Sequence, residues 1–208
     1  QRGIRTRFSD DLLWLPYVVA DYIEFTGDYG ILEIETNYLK GPILENGCDE
    51  KYDKYECSDV KENIFMHCIR AIEKSLDFGE NGLPKIGSGD WNDGFSKVGN
   101  KGIGQSIWLG FFLYDILNKF IPICENKNRE DLVFKYTAAK ETLKRNLNTK
   151  GWDGRWFKRA ITDDGEEIGS INSEECRIDS IVQSWAVMSS AAENDKKFIK
   201  YQLNKRRI

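Results

Sequence analysis

Apolar residues recur along this chain at helical spacing in five separate stretches. Leu12, Leu13, Leu15, Val18, Val19, Tyr22 and Ile23 predict a helix from Asp11 to about Phe25, with Ser9 or Asp10 as N-cap and Gly27 and Gly30 beyond its end. Ile64, Phe65, Cys68, Ile69, Ile72 and Leu76 form a second stripe, ahead of Gly79. Asp59 and Glu62, three residues apart just before it, resemble a capping box. Residues 105–121 are apolar nearly all round, which predicts a helix enclosed on most sides. Residues 129–148 are amphipathic instead, with Leu132, Val133, Tyr136, Leu143 and Leu147 set among lysines and arginines. An enclosed helix followed by a half-exposed one predicts inner and outer layers. A last helix is predicted from about Asp179 to Ala192. Between them, 35–60 reads as an ordered loop, and Trp156–Thr162 with the Asp164-Gly165 turn as a short β-hairpin. The expected fold is all-α with long loops.

The longest of those loops is also the richest in chemistry. Residues 82–108 carry glycines at 87, 89, 94, 99, 102 and 104 and place Asp90 and Asp93 around Trp91. Glycine permits backbone angles closed to other residues and lets a ligand come close. An indole packs on the apolar face of a pyranose, and a neighbouring carboxylic acid can protonate a glycosidic oxygen. The pattern points to carbohydrate chemistry, although Asp-Gly and Asn-Asp pairs also build ordinary turns.

Charge and composition narrow the partners. A formal charge of −4 over 208 residues gives no overall basic field, so neither nucleic acid nor an anionic membrane surface is expected. The basic end, Lys205, Arg206 and Arg207, reads as a solvated tail. No apolar run reads as a membrane span and no signal peptide is seen, so the expected location is the cytoplasm. Five cysteines, at 48, 57, 68, 124 and 176, lack metal-ligand spacing and suit a reducing compartment. The single histidine, His67, has no second histidine with which to build a helical metal site, so no metal is expected. Gly99 to Gly104 lacks the Gly-Lys-Ser/Thr ending of a nucleotide-binding loop.

Three blocks in order resemble the glycoside phosphorylases of glycoside hydrolase family 94: Arg2 to Pro16, the Gly89-Asp-Trp-Asn-Asp-Gly94 loop, and Arg177 to Val187. Gly89–Gly94, Val98-Gly99 and Ser173–Asp179 are most similar to the 1,2-β-oligoglucan phosphorylases and the C-terminal domain of cyclic β-1,2-glucan synthases within that family. The resemblance implies that residues 1–192 form part of an (α/α)6 barrel and that 193–208 are a polar tail outside it. It also implies phosphorolysis of a β-glucan with inversion. Inorganic phosphate serves as co-substrate, no cofactor is involved, and α-glucose 1-phosphate is formed. Asp93 then matches the general acid. Trp91, Asn92 and Asp90 belong to the sugar site, and Arg5, Arg7, Asp11 and Asp10 match residues that hold the sugar's hydroxyls.

Other readings of the same residues stay open. Asp90 and Asp93 could cap turns, and Arg5 with Asp11 could form an ion pair at a helix start. Trp14, Trp108 and Trp185 suit a buried core. Gln105 stands where the family usually has Glu. About half a barrel is present, so apolar faces are expected to associate with a second copy or a complementary chain. A sugar-binding fragment without activity is one alternative. An inverting hydrolase, with Glu174 or Glu175 as the second carboxylate, is the other.

Overall fold

A computed structural model describes residues 2–196. In chain order it contains β1 (Arg2–Thr6), α1 (Trp14–Thr26), β2 (Glu35–Lys40), β3 (Glu50–Lys54), β4 (Glu56–Asn63), α2 (Ile64–Ser75), β5 (Gln105–Ser106), α3 (Ile107–Asn126), α4 (Glu130–Thr149), β6 (Ala160–Ile161), β7 (Glu167–Ile168) and α5 (Ser180–Met188). A short 3-10 turn at Asp11–Leu13 leads into α1, and another at Asp93–Phe95 interrupts the glycine-rich loop.

The centre is α3. Ser106 caps it through its hydroxyl, which accepts from the Leu109 amide. Trp108, Phe111, Phe112, Ile116, Leu117 and Phe120 along it are fully buried. Each contributes roughly 1.5–3 kcal/mol of apolar burial. α4 covers one side of α3, and α1 and α5 pack on others. α4 buries only Leu132, Tyr136, Leu143, Leu147 and Asn148, so it is the outer partner and α3 the inner one, as the two apolar patterns predict. By length and composition α3 is also apolar enough to cross a membrane, contrary to the expectation that no such run exists. Most of it is buried inside the protein, so its hydrophobicity serves the core.

The expectation of an all-α chain needs correcting, because three small sheets accompany the helices. Residues 35–60 hold strands rather than loop alone. β2 pairs antiparallel with β4, and β3 pairs antiparallel with β1 from Arg2↔Lys54 to Thr6↔Glu50. These strands are largely exposed and polar, so they lack the apolar alternation that marks a half-buried strand. Their pairing is long-range, which no local window reveals. Asp59 and Glu62 lie in β4, not in a capping box, and Asn63 caps α2 by accepting from the Met66 amide. The predicted hairpin is present in reduced form: β6 and β7 join β5 in one three-stranded sheet.

α1 presents a second kind of face. Leu12 in the turn just before it and Leu15, Val18, Tyr22 and Phe25 along it follow helical spacing on its outer side, and all five are exposed. All five cysteines are free. Cys68 and Cys124 are buried, and burial pushes each thiol up to about 12, so both act as core hydrophobes. His67 stacks on Tyr38 and contacts the Thr36 carbonyl oxygen.

Phe112 joins the helices through its ring contacts with Trp14, Tyr17, Trp108 and Trp185. Phe112→Ala is expected to cost about 3–5 kcal/mol in urea unfolding, because four rings would border the resulting cavity.

Candidate functional site

Within the glycine-rich loop Ile86 and Val98 form a small core with Ala160, Phe95 and Ile168, and other segments hold the loop from both sides. Ser9 donates both its amide and its hydroxyl to the Gly89 carbonyl, each at 3.0 Å. Phe8 pairs with Gly87 as an isolated bridge, and Ser88 donates its hydroxyl to Asp49. Gly89 has φ +151°, and a side chain there would press on the Phe8 ring at 3.1 Å. Further along, the buried Asp163 carboxylate accepts from the amides of Lys101, Ile103 and Gly104 at 2.8, 2.9 and 2.9 Å. Burial raises the Asp163 pKa, but these three donors outweigh it and hold the group below its ordinary value. Gln105 is buried, and its side-chain oxygen accepts from the amides of Asn81 and Leu83. A neutral amide therefore supplies the acceptor needed at that position.

The middle of the loop rests on one buried cation. Arg159, fully buried, donates Nη1 to Asp90 Oδ2 at 2.8 Å and Nη2 to Asp90 Oδ1. Ser106 Oγ also donates to Asp90 Oδ2, at 2.6 Å. Asp90 Oδ1 accepts from the Asn92 amide, and Asn92 Oδ1 accepts from the Gly94 amide, which starts the 3-10 turn at Asp93. The Arg159 guanidinium lies 4.7 Å from the Phe95 ring centroid. Trp91 projects outward from this base, 59% exposed, with its ring centroid 6.0 Å from that of Trp14. The backbone of Asp93 sits at the head of the turn, and its side chain lies outside the described residues.

The predicted site residues divide into two groups. Asp10, Asp90, Trp91 and Asn92 gather with Asp93 around the loop. Asp10 is buried and accepts the Trp14 indole N–H at 3.0 Å, so it serves that ring and does not cap the helix. Burial pushes Asp10 up to about 6; the Trp14 bond opposes this, and the charges of Asp11 and Asp90 add to it. Asp90 faces Arg159 and Ser106, with its side chain fully buried.

Arg5, Arg7 and Asp11 line a separate cleft of about 730 Å³ between β1, residues 87–102 and the end of α2. Trp91 and Asn92 do not line it. Arg5 donates to the carbonyls of Gly41 and Pro42 and lies over the Tyr55 ring. Arg7 donates to those of Cys48, Leu44 and Glu45. Asp11 accepts from the Thr6 hydroxyl, and no ion pair joins it to Arg5. Both guanidinium groups thus hold the 41–48 segment in this structure. Glu174 and Glu175 are exposed.

Sequence reasoning missed Arg159. Residues 157–160 are all buried and only Ala160–Ile161 is strand, so no alternation marks Arg159; an arginine in an otherwise apolar-flanked stretch was the one available signal.

Residues 1–205 match the glycosyl hydrolase 94 superfamily catalytic domain. The chain belongs to that family. It is 39% identical to the cyclic β-(1,2)-glucan synthase NdvB of Rhizobium meliloti over 93% of its own length and 7% of that protein. It is 31% identical to solabiose phosphorylase of Paenibacillus borealis over 91% of its length and 22% of the relative. With the N,N'-diacetylchitobiose phosphorylase of Vibrio furnissii the identity is 25%, over 93% of this chain and 22% of the other. The chain therefore spans less than a quarter of each of these relatives. The family match extends past residue 192, the expected end of the barrel part, and its last nine residues, 197–205, lie outside the described residues.

Asp10 generates a pH-dependent prediction. Its folded value of about 6 lies above the ordinary 3.8, so the folded chain holds this proton more tightly than the unfolded one. Its contribution to stability is full below about pH 4, declines as pH rises towards 6 and is flat above that. Asp10→Asn keeps an acceptor for the Trp14 indole and removes the charge. The variant is expected to exceed the parent by about 1–3 kcal/mol at pH 7.5, with the gap closing towards pH 4, as read from urea unfolding across that range.

Proposed function

We propose that this chain is the part of an inverting glycoside phosphorylase that carries the general acid, acting on a β-glucan, with β-1,2 linkages preferred. The observation that carries this reading is the loop 89–94. It presents an exposed indole and the backbone of Asp93 from a base fixed by buried polar bonds. Family membership and the phosphorylases among the relatives support the reaction class. The likeness to a cyclic β-(1,2)-glucan synthase supports the linkage.

In this reading Trp91 stacks on the transferred glucose. Phosphate oxygen attacks the anomeric carbon from the face opposite the leaving group. The glycosidic C–O bond breaks, its oxygen takes the proton of Asp93, and the products are α-glucose 1-phosphate and a glucan shorter by one residue. Phosphate is already an anionic nucleophile, so no second carboxylate is needed to activate water. What the reaction needs is donors that hold phosphate in line. Arg5, Arg7 and Asp11, with Asp10 and Asn92, remain our candidates for the sugar's hydroxyls, and Asp90 supports the loop from beneath. The layering of α3 inside α4 supports an (α/α)6 barrel to which residues 1–192 contribute. No cofactor or metal is invoked, and free cysteines favour the cytoplasm.

A second reading is favoured by one observation. The exposed apolar stripe of α1 calls for a covering partner, either further barrel helices or a second copy. The chain alone would then bind sugar without turning it over.

Incubating the chain with short β-1,2-glucans, with and without phosphate, tests the main reading. Glucose 1-phosphate is expected only with phosphate, and Asp93→Asn is expected to lower its release at least about 100-fold. Phosphate-independent release of glucose would favour a hydrolase. A folded chain that releases neither product, and whose tryptophan fluorescence responds to the glucan, would favour the sugar-binding fragment.

A further inference from the structure

Arg159 touches the loop on both sides of Asp93. Three residues before it, the guanidinium holds both oxygens of Asp90; two residues after it, the same group lies under the Phe95 ring. Between those contacts, the Asp90–Asn92 and Asn92–Gly94 bonds shape the 3-10 turn. The position of the Asp93 backbone therefore follows from where Arg159 sits.

Arg159 is itself well fixed. Its amide donates to the Ile168 carbonyl at 2.7 Å, and its carbonyl accepts from the Ile107 amide at 3.2 Å, which locks it between the β6–β7 hairpin and the start of α3. Gly169 packs against it so closely that a Cβ there would lie 3.0 Å from the Arg159 Cβ. Trp108 covers the guanidinium from another side, with the ring centroid at 5.7 Å. Nε makes no hydrogen bond, and its nearest charged group is Asp179 Oδ2 at 3.5 Å. Asp179 also caps α5 by accepting from the Ile181 amide. One cation thus joins the loop, the hairpin, α3 and the start of α5.

Such an arrangement is costly to keep for stability alone. Removing an ion from water costs several kcal/mol, and a buried pair replaced by apolar side chains is often no less stable. What the pair provides is geometry: a planar fork bound to a carboxylate fixes both position and angle. We propose that Arg159 is a positioning residue, which sets the place of the acid-bearing turn through Asp90 and Phe95 without touching substrate. This rests on Asp93 being the acid, and the experiment separates the two claims.

The test compares the parent chain with Arg159→Lys and Phe95→Leu by hydrogen exchange, and by turnover of β-1,2-glucan with phosphate. Lysine keeps the charge and loses the fork. Phe95 is only half-buried, so its variant should fold even where Arg159→Lys does not. Exchange across 88–98 is expected to rise about tenfold in Arg159→Lys and by a smaller factor in Phe95→Leu, with α3 and α4 unchanged. In turnover, kcat should fall about tenfold or more while KM stays within about threefold, as displacement of an acid requires. Unchanged exchange at 88–98 in a folded variant would overturn the proposal. So would an equal rise throughout α3 and α4, which would mark a purely structural role. If the parent proves inactive, the phosphorylase reading fails by itself, and exchange alone still decides whether Arg159 sets the loop.

Discussion

A fully buried guanidinium must find a carboxylate, and a loop with seven glycines must find something to hold it. In this chain one contact answers both needs. The Arg159–Asp90 pair lies beneath the Gly89–Gly94 segment, and bonds from Ser106, Asn92 and Gly94 run outward from it. Leaving either charge unpaired in that environment would cost several kcal/mol, so loop and hairpin cannot fold independently of each other. Asp163 plays the same part for the other half of the loop, with three amide donors in place of a cation. The loop's own turns are thus fixed in place by anchors outside it, and its glycines supply reach and close approach.

The rest of the architecture explains how those anchors reach the loop. Ser106 is at once the N-cap of α3 and a donor to Asp90, so the most buried helix starts where the loop ends. Asp179 stands in the same relation to α5. On the opposite side, β1 continues into Phe8 and Ser9, which bind Gly87 and Gly89. The start of α3 and the stretch after β1 thus meet the loop directly, and the start of α5 reaches it through Arg159. They include Phe8 and Ser9 in the middle of the first block that resembles the family and Asp179 near the start of the third, which gives a physical reason for those blocks to occur together.

The helices were legible in the sequence because their signal is local. A stripe such as Ile64 to Leu76, or the continuous apolar run of α3, is complete within one window. The strands β1 to β4 were not legible, since they bury little and find their partners across long separations. The α2 stripe is plain in the sequence, yet its cap is not. Asp59 and Glu62 have the spacing of a capping box, while the chain stays extended until Asn63 because β4 is paired with β2. In the candidate site the loop residues could be found from composition and resemblance, but their tasks could not. Asp10 and Asp90 look alike in sequence; one ends beside an indole and the other beneath an arginine. Arg5 and Arg7 read as ligands for hydroxyls, and the structure has them gripping carbonyls of residues 41–48.

The contrast between those carboxylates bears on how a single acid can work in this loop. A general acid needs its proton near neutral pH, which requires burial without a cation close by. Asp163 is tied to three amide donors that favour its charged form, and both oxygens of Asp90 are taken up by Arg159, so neither is free for that task. Asp10 has burial and, among the described residues, no cation beside it, and its raised value follows from its burial. Its one side-chain donor is the Trp14 indole, against which Trp91 also packs. Three carboxylates near one loop are thereby separated by environment: two hold backbone in place, and the third lies against the paired indoles. The same separation leaves Asp93, at the start of its turn, as the one loop carboxylate whose role in our proposal is to meet substrate.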